Sequence, residues 1–193
     1  IDGNNSATFS ADFSYYMLNH SDGKTPPYIT LNEQSGKLVR VLEDNAALKI
    51  RMNEYVTSPT DFFEMKTSEG VTLNGYMMKP VDFDPSKKYP VLMYVYGGPG
   101  SQNVVDTWSG SRNLWFNYLA QKGYIIACVD NRGTGFRGAD FKKVTYKQLG
   151  KYETADQIEV AKWLAQINYV DPARIGIWGW SYGGYLSSLC ITK

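Results

Sequence analysis

Hydrophobic positions near the amino terminus follow the short, alternating pattern that is typical of half-buried β-strands. Strand candidates separated by turn sequences lie at Tyr15–Leu18, Tyr28–Leu31 and Leu38–Leu42. Three strands at this spacing resemble most of one β-propeller blade, so residues 1–45 are predicted to be the partial last blade of a propeller. A single blade cannot bury its faces alone, and we therefore expect neighbouring blades.

The pattern changes after a connector at residues 46–60, which contains a predicted helix at Ala46–Met52. Beyond it, apolar strand candidates alternate with helical segments such as Arg112–Lys122. The strand candidates are Phe62–Thr67, Val71–Lys79, Pro90–Tyr96, Tyr124–Val129 and Arg174–Gly179. This alternation favours an α/β fold, with a parallel-rich sheet and helices on both of its faces.

A further helix is predicted over residues 155–168, because Thr154 and Gln157 have the spacing of a capping box. On this interpretation Asp156 is an acid in the first helical turn, where it meets the positive end of the helix dipole. Asp130, which follows an apolar strand candidate, is interpreted as a structural turn residue.

The segment Gly179-Trp180-Ser181-Tyr182-Gly183 has the G-x-S-x-G pattern of a nucleophile elbow. In such an elbow the serine lies in strained backbone geometry between a strand and a helix. The strand and the helix approach so closely that glycine suits the positions two before and two after the serine. Ser181 is therefore the candidate nucleophile, and residues 61–193 are predicted to be the N-terminal half of an α/β-hydrolase domain.

A serine hydroxyl is a poor nucleophile unless a base takes its proton. In α/β-hydrolases the acid and the histidine of the triad follow the serine along the chain, whereas no Asp, Glu or His follows Ser181. The single histidine, His20, lies far upstream in the β-rich segment and is interpreted as a turn or surface residue. We therefore expect residues 1–193 alone to be inactive.

The second requirement of acyl transfer is an oxyanion hole, whose donors face the developing negative charge. In α/β-hydrolases one donor is the backbone N–H after the nucleophile, which here belongs to Tyr182. The other comes from the loop after the third sheet strand, and the segment Tyr96-Gly97-Gly98-Pro99-Gly100 occupies that place. Its glycines allow the backbone to approach a substrate closely.

Composition argues against several other classes of function. The chain has 20 basic and 19 acidic residues and a net charge of +1, which gives no electrostatic case for binding nucleic acid. No apolar run approaches the length of about 18 residues that a membrane span needs. Cys128 and Cys190 are predicted to be free thiols, and no metal site is expected. The G-x-G-x-x-G pattern of Gly133–Gly138 lacks a directly following helix, so no cofactor is predicted.

Three motifs together resemble the prolyl oligopeptidase family of serine peptidases, namely Gly179–Gly184, Val95–Gln102 and Asp130–Gly135. Trp180 before the serine and the run Arg40–Leu48 are similar to the dipeptidyl peptidase IV branch of that family. The resemblance extends over essentially the whole chain.

This resemblance implies a β-propeller followed by an α/β-hydrolase domain. It implies the release of N-terminal dipeptides that have Pro, or less well Ala, in second place, through an acyl-enzyme on Ser181. It further implies that the Tyr96 hydroxyl and the Tyr182 N–H form the oxyanion hole, and that the Tyr182 ring and Trp180 contact the substrate. An exported, homodimeric whole protein is also implied.

Several other functions are compatible with the same motifs. The same fold serves prolyl tripeptidyl peptidases, acylaminoacyl peptidases and esterases, and a non-catalytic fragment is a further alternative. The propeller-like start and Trp180 favour the dipeptidyl peptidase over a general esterase. Comparing the hydrolysis of short acyl esters with that of Xaa-Pro amides would separate these two.

Overall fold

The computed structural model describes residues 2–193, which form a mixed α/β structure divided into two compact units. The first unit runs as far as Thr57 and also contains Val105–Trp115. The second unit consists of Ser58–Val104 and Phe116–Lys193. The candidate site residues Tyr96, Trp180, Ser181 and Tyr182 therefore all belong to the second unit.

The first unit is built on a four-stranded antiparallel sheet whose strands follow chain order. They are β1 Asn4–Phe9, β2 Tyr15–Ser21, β3 Tyr28–Glu33 and β4 Leu38–Glu43, and helix α1 Ala46–Met52 follows them. The hydrophobic pattern predicts three of these strands and misses β1, because its sequence NNSATF is mostly polar or small and exposed throughout. The sheet thus has the strand number of one propeller blade.

The segment Val105–Trp115 joins the first unit through hydrogen bonds to the end of β2 and the loop after it. The Asp106 carboxylate accepts the Gly23 N–H at 2.8 Å, and the Ser21 and Thr107 hydroxyls lie 3.0 Å apart. Asp106 and Gly23 are 83 residues apart in the chain, so no local sequence pattern indicates this return.

The second unit contains a five-stranded sheet in the order β5-β6-β8-β7-β9. Its strands are β5 Thr60–Lys66, β6 Thr72–Met78, β7 Tyr89–Tyr94, β8 Ile125–Asp130 and β9 Val170–Trp178. Strand β7 pairs in parallel with β8 and β9, whereas β6 pairs antiparallel with β5 and β8. The sheet is therefore mixed, and parallel pairing is confined to the three strands nearest the elbow.

Helices cover this sheet on both faces. The helices after α1 are α2 Ser111–Gln121, α3 Ala139–Lys143, α4 Lys151–Leu164 and α5 Tyr182–Ile191. Helix α3 has only five residues but begins directly after Gly138, so the prediction that no helix follows the G-x-G-x-x-G pattern is wrong. Strand β8 is buried along its whole length, and its side chains alternate between two hydrophobic clusters. Val160 and Leu164 of α4 belong to one cluster, and Phe116 of α2 belongs to the other.

Helix α4 departs from its predicted bounds, since it begins at Lys151 and ends at Leu164. Gly150 precedes it with a φ of 81°, a left-handed conformation that glycine adopts without strain. The predicted capping box is wrong. Thr154 is buried inside the helix, and the Gln157 amide donates to the Val129 carbonyl of β8 at 2.9 Å.

Candidate active site

Ser181 lies on the tight turn between β9 and α5. It occupies the N-cap of α5 with a φ of 55° and a ψ of −116°. Such a backbone conformation is strained for a residue other than glycine, and strain of this kind is concentrated at functional sites. The side chain is exposed and makes no capping hydrogen bond, so its hydroxyl is available to a substrate.

The main chain of Val95 explains why both outer positions of the G-x-S-x-G pattern require glycine. A Cβ atom on Gly179 or on Gly183 would collide with the Val95 carbonyl oxygen. The Val95 N–H in turn donates to the Trp178 carbonyl at 2.9 Å, next to the end of β9. The elbow is therefore pressed against the end of β7, one residue before Tyr96.

Tyr96 opens the predicted oxyanion loop and lies close to the residue that follows the nucleophile. The ring centroids of Tyr96 and Tyr182 are 6.4 Å apart. A Cβ on Gly98 would lie 2.8 Å from the Tyr96 ring and 3.3 Å from the Tyr182 ring, so glycine is the residue that fits between these contacts. The structure thus brings Tyr96, Tyr182 and the elbow into one site.

Tyr182 is anchored at the far end of its ring by α4. Its hydroxyl donates to Oε1 of Glu153 at 2.7 Å, and Glu153 is fully buried. Burial raises the pKa of Tyr182, and the hydrogen bond to Glu153 raises it further. The ring also packs edge-on against Tyr185, at a centroid distance of 5.4 Å. Sequence reasoning misses Glu153, because nothing local marks a first-turn glutamate as a partner of a residue 29 positions later.

A second contact from α4 supports the start of the oxyanion loop. The buried Asn131 side chain donates to the Gly97 carbonyl at 3.0 Å, and its own amide oxygen accepts from Gln157 at 3.0 Å. A Cβ on Gly97 would collide with that amide oxygen. Gln157, Asn131 and Gly97 therefore form a continuous hydrogen-bonded path from α4 to the loop that begins with Tyr96.

A buried ion pair joins α4 to the loop after β8. Nη2 of Arg132 lies 2.6 Å from Oδ1 of Asp156, and the Arg132 backbone N–H donates to the same carboxylate at 2.8 Å. Burial raises the pKa of Asp156, and the hydrogen bonds from Arg132 oppose that shift. The prediction that Asp156 is a first-turn acid is wrong, because α4 starts at Lys151 and places it in the second turn.

Asp130 is the last residue of β8 rather than a turn residue. Its carboxylate accepts the backbone N–H groups of Asn103 and Val104 at 3.0 and 2.9 Å. Burial raises the pKa of Asp130, and these two hydrogen bonds lower it. The contacts hold the chain just beyond the oxyanion loop, which is a structural role.

Two further predicted residues lie in clearly different surroundings. Trp180 is 79% exposed beside the nucleophile, a position from which a side chain can contact a substrate. His20 lies within β2 in the first unit, where its Nδ1 is 2.9 Å from the Asn5 amide oxygen. His20 is therefore a partly exposed strand residue of the first sheet, which agrees with the predicted surface position and not with the predicted turn.

Three further features of residues 2–193 concern metal-binding side chains, thiols and the hydrophobicity of the helices. No three His, Cys, Asp or Glu side chains in this range lie close enough together to hold a metal ion. Cys128 and Cys190 are free thiols. Among the same residues, no helix has the length and hydrophobicity of a membrane span.

Comparison with known proteins agrees with this geometry. Residues 111–193 match the prolyl oligopeptidase family. The chain is also 42% identical over 186 residues to the "Probable dipeptidyl peptidase 4" of Emericella nidulans, a match that covers 94% of this chain. This chain belongs to the prolyl oligopeptidase family.

Two further dipeptidyl peptidases are similar to this chain over almost its whole length. Dipeptidyl peptidase 4 of Trichophyton equinum is 40% identical over 185 residues, which is 94% of this chain and 24% of that protein. The crystal structure of Porphyromonas gingivalis dipeptidyl peptidase 4 superimposes with a TM-score of 0.93 at 48% identity, over 97% of this chain and 26% of that one. The chain thus spans about a quarter of the length of these relatives.

Proposed function

We propose that this chain supplies the nucleophile part of the active site of a serine-type dipeptidyl peptidase. The observation that carries the proposal is the strained, exposed Ser181 at the N-cap of α5, next to Tyr182 and the Tyr96 loop. Membership of the prolyl oligopeptidase family and the names of the relatives support it. On this proposal the whole protein releases N-terminal dipeptides with Pro, or less well Ala, in second place.

In the proposed reaction, the Ser181 hydroxyl oxygen attacks the carbonyl carbon of the second substrate residue. A histidine from elsewhere in the whole protein takes the hydroxyl proton and later gives it to the departing amine. The Tyr96 hydroxyl and the Tyr182 N–H stabilise the oxyanion that forms on the carbonyl oxygen. Collapse of this intermediate leaves a dipeptidyl ester on Ser181, which water then hydrolyses.

The same proposal assigns each of the two units to a domain of the whole protein. The β1–β4 sheet is the last blade of a propeller, and residues 61–193 are the N-terminal half of the hydrolase domain. The four-stranded antiparallel sheet and the β7–β8–β9 parallel set that ends at the elbow support this assignment.

The test is a substrate panel given to the full-length protein. Gly-Pro and Gly-Ala arylamides are compared with a tripeptidyl amide, an N-acylated amino-acid amide and a short acyl ester. We expect the Gly-Pro amide to be the best substrate and a fluorophosphonate probe to label the peptide that contains Ser181. Preference for the tripeptide, the acylated amide or the ester would contradict the dipeptidyl peptidase assignment.

Replacing Tyr96 with phenylalanine in the full-length protein is expected to lower kcat on Gly-Pro amides by about 10²–10³-fold, with little change in KM. A hydroxyl that bonds the substrate only in the transition state contributes to kcat and not to ground-state binding. Steady-state kinetics measure the effect. Tyr124→Phe is the matched control, because Tyr124 precedes β8 and is 40% exposed. An unchanged kcat would show that the Tyr96 hydroxyl is not an oxyanion donor.

The polypeptide of residues 1–193 is expected to hydrolyse no Gly-Pro amide at an enzymatic rate. Its single histidine is His20, which is hydrogen-bonded within the first unit. Serine hydrolases that lack a triad member keep only about 10³–10⁴-fold acceleration over water. Turnover by purified 1–193 that disappears with Ser181→Ala would contradict this expectation.

A further inference from the structure

A buried carboxyl group beside the candidate active site takes no part in the reaction proposed above. Glu153, in the first turn of α4, is 0% exposed. Its Oε1 accepts the Tyr182 hydroxyl, whereas its Oε2 has no hydrogen-bond partner among residues 2–193. Burying a carboxyl group with one oxygen unpaired costs free energy, which the positive end of the helix offsets only in part. The position therefore favours a role other than stability.

The single hydrogen bond of Glu153 leads directly to the reacting groups. Its partner Tyr182 follows the nucleophile. The Tyr182 N–H is the proposed oxyanion donor, and the family resemblance implies that the Tyr182 ring contacts the substrate. The backbone of Tyr182 is fixed at one end by the elbow, and Glu153 holds the other end of the side chain at 2.7 Å. With both ends held, the ring has one orientation relative to Ser181.

We propose that Glu153 is a positioning residue that sets the orientation of the Tyr182 ring and, through it, the fit of the second substrate residue. The proposal rests on the proposed function. Glu153 is buried, and it touches neither the nucleophile nor the oxyanion loop through any described hydrogen bond. Its effect on the reaction therefore passes through Tyr182.

This arrangement has a consequence for specificity. A proline ring presents a larger surface to the Tyr182 ring than an alanine methyl group does. Loss of the Glu153 contact should therefore weaken hydrolysis of Xaa-Pro substrates more than that of Xaa-Ala substrates. Contacts worth one to two methylenes change kcat/KM by about tenfold or more, which sets the expected size of the change in the Pro/Ala ratio.

The experiment uses the full-length protein and measures kcat and KM for Gly-Pro and Gly-Ala arylamides. The variants are Glu153→Ala, Glu153→Gln, Tyr182→Phe and the double variant Glu153→Ala/Tyr182→Phe. Glu159→Ala is the matched control, because Glu159 lies on the same helix but bonds Ser68 in the β5–β6 turn. Thermal melts and fluorophosphonate labelling confirm that each variant is folded with a reactive serine.

We expect Glu153→Ala to lower the Pro/Ala ratio of kcat/KM by about tenfold. Glu153→Gln should restore most of the ratio, because its amide oxygen can still accept the Tyr182 hydroxyl. The double variant should lose little more than Tyr182→Phe alone, since both changes remove the same hydrogen bond. Glu159→Ala should leave the ratio unchanged.

Equal losses on the two substrates, or additive effects in the double variant, would overturn the positioning role. Should Glu153→Ala fail to fold, the comparison of Glu153→Gln with Tyr182→Phe decides the same question. In that comparison, a Pro/Ala ratio of kcat/KM that is unchanged in both variants would overturn the positioning role of Glu153. A wild-type protein that hydrolyses neither amide would instead overturn the proposed function itself, and this inference with it.

Discussion

Replacing Ser181 with alanine in the full-length protein is expected to lower kcat on a Gly-Pro amide by about 10⁶-fold. The substitution removes the only atom that can form the acyl-enzyme in the proposed reaction, while the strained turn and its glycines stay in place. Long-incubation assays with enzyme at high concentration measure the residual rate. Reaction with a fluorophosphonate probe should be lost in parallel.

Ser188→Ala is the matched control for this experiment. Ser188 lies on the same helix α5, but its hydroxyl donates to the Gly184 carbonyl at 2.9 Å. Its replacement should leave kcat close to that of the unmodified protein. A Ser181→Ala protein that keeps more than about one thousandth of the activity would show that another residue is the nucleophile.

Replacing Asp156 with alanine is expected to destabilise the second unit by about 3–5 kcal/mol. Among residues 2–193, the change leaves the guanidinium of Arg132, which is 7% exposed, with Glu69 as its one remaining charged partner. Hydrogen exchange read by mass spectrometry in the full-length protein measures the local effect. The amides of α4 and β8 should exchange much faster in the variant.

Asp171→Ala provides the comparison, because Asp171 pairs with Arg174 near the start of β9, where the arginine side chain is 55% exposed. Water solvates both groups at such a site, so no measurable change in exchange is expected there. If the α4 amides of Asp156→Ala exchange as slowly as those of the unmodified protein, the buried ion pair can be replaced without loss of stability.

The elbow is predictable from sequence because its requirements are local. The close approach of β9 and α5 demands glycine at 179 and 183, and the strain falls on the serine between them. Helix α1 and the strands with apolar alternation are predictable for the same reason, since residues that are close in sequence carry the signal.

The residues that support the site are not predictable in this way. Glu153, Asn131 and Arg132 find their partners 24 to 34 residues away along the chain, where sequence spacing carries no information. Strand β1 is missed because its exposed side chains show no alternation. The capping box at Thr154 and Gln157 is a false prediction. Gly150, with its left-handed backbone, precedes α4 and places the start of the helix earlier than that motif predicts.

The carbonyl oxygen of Val95 lies close to both elbow glycines, Gly179 and Gly183. This close approach has a consequence for how substitutions can change the site. Tyr96 is the next residue after that carbonyl, and Ser181 is two residues from each glycine. The gap between the backbones at Ser181 and Tyr96 is therefore set by main-chain packing. Substitutions that repack the surrounding side chains can reshape what the pocket accepts while this gap stays the same. The catalytic spacing and the substrate preference of the site can accordingly be altered independently.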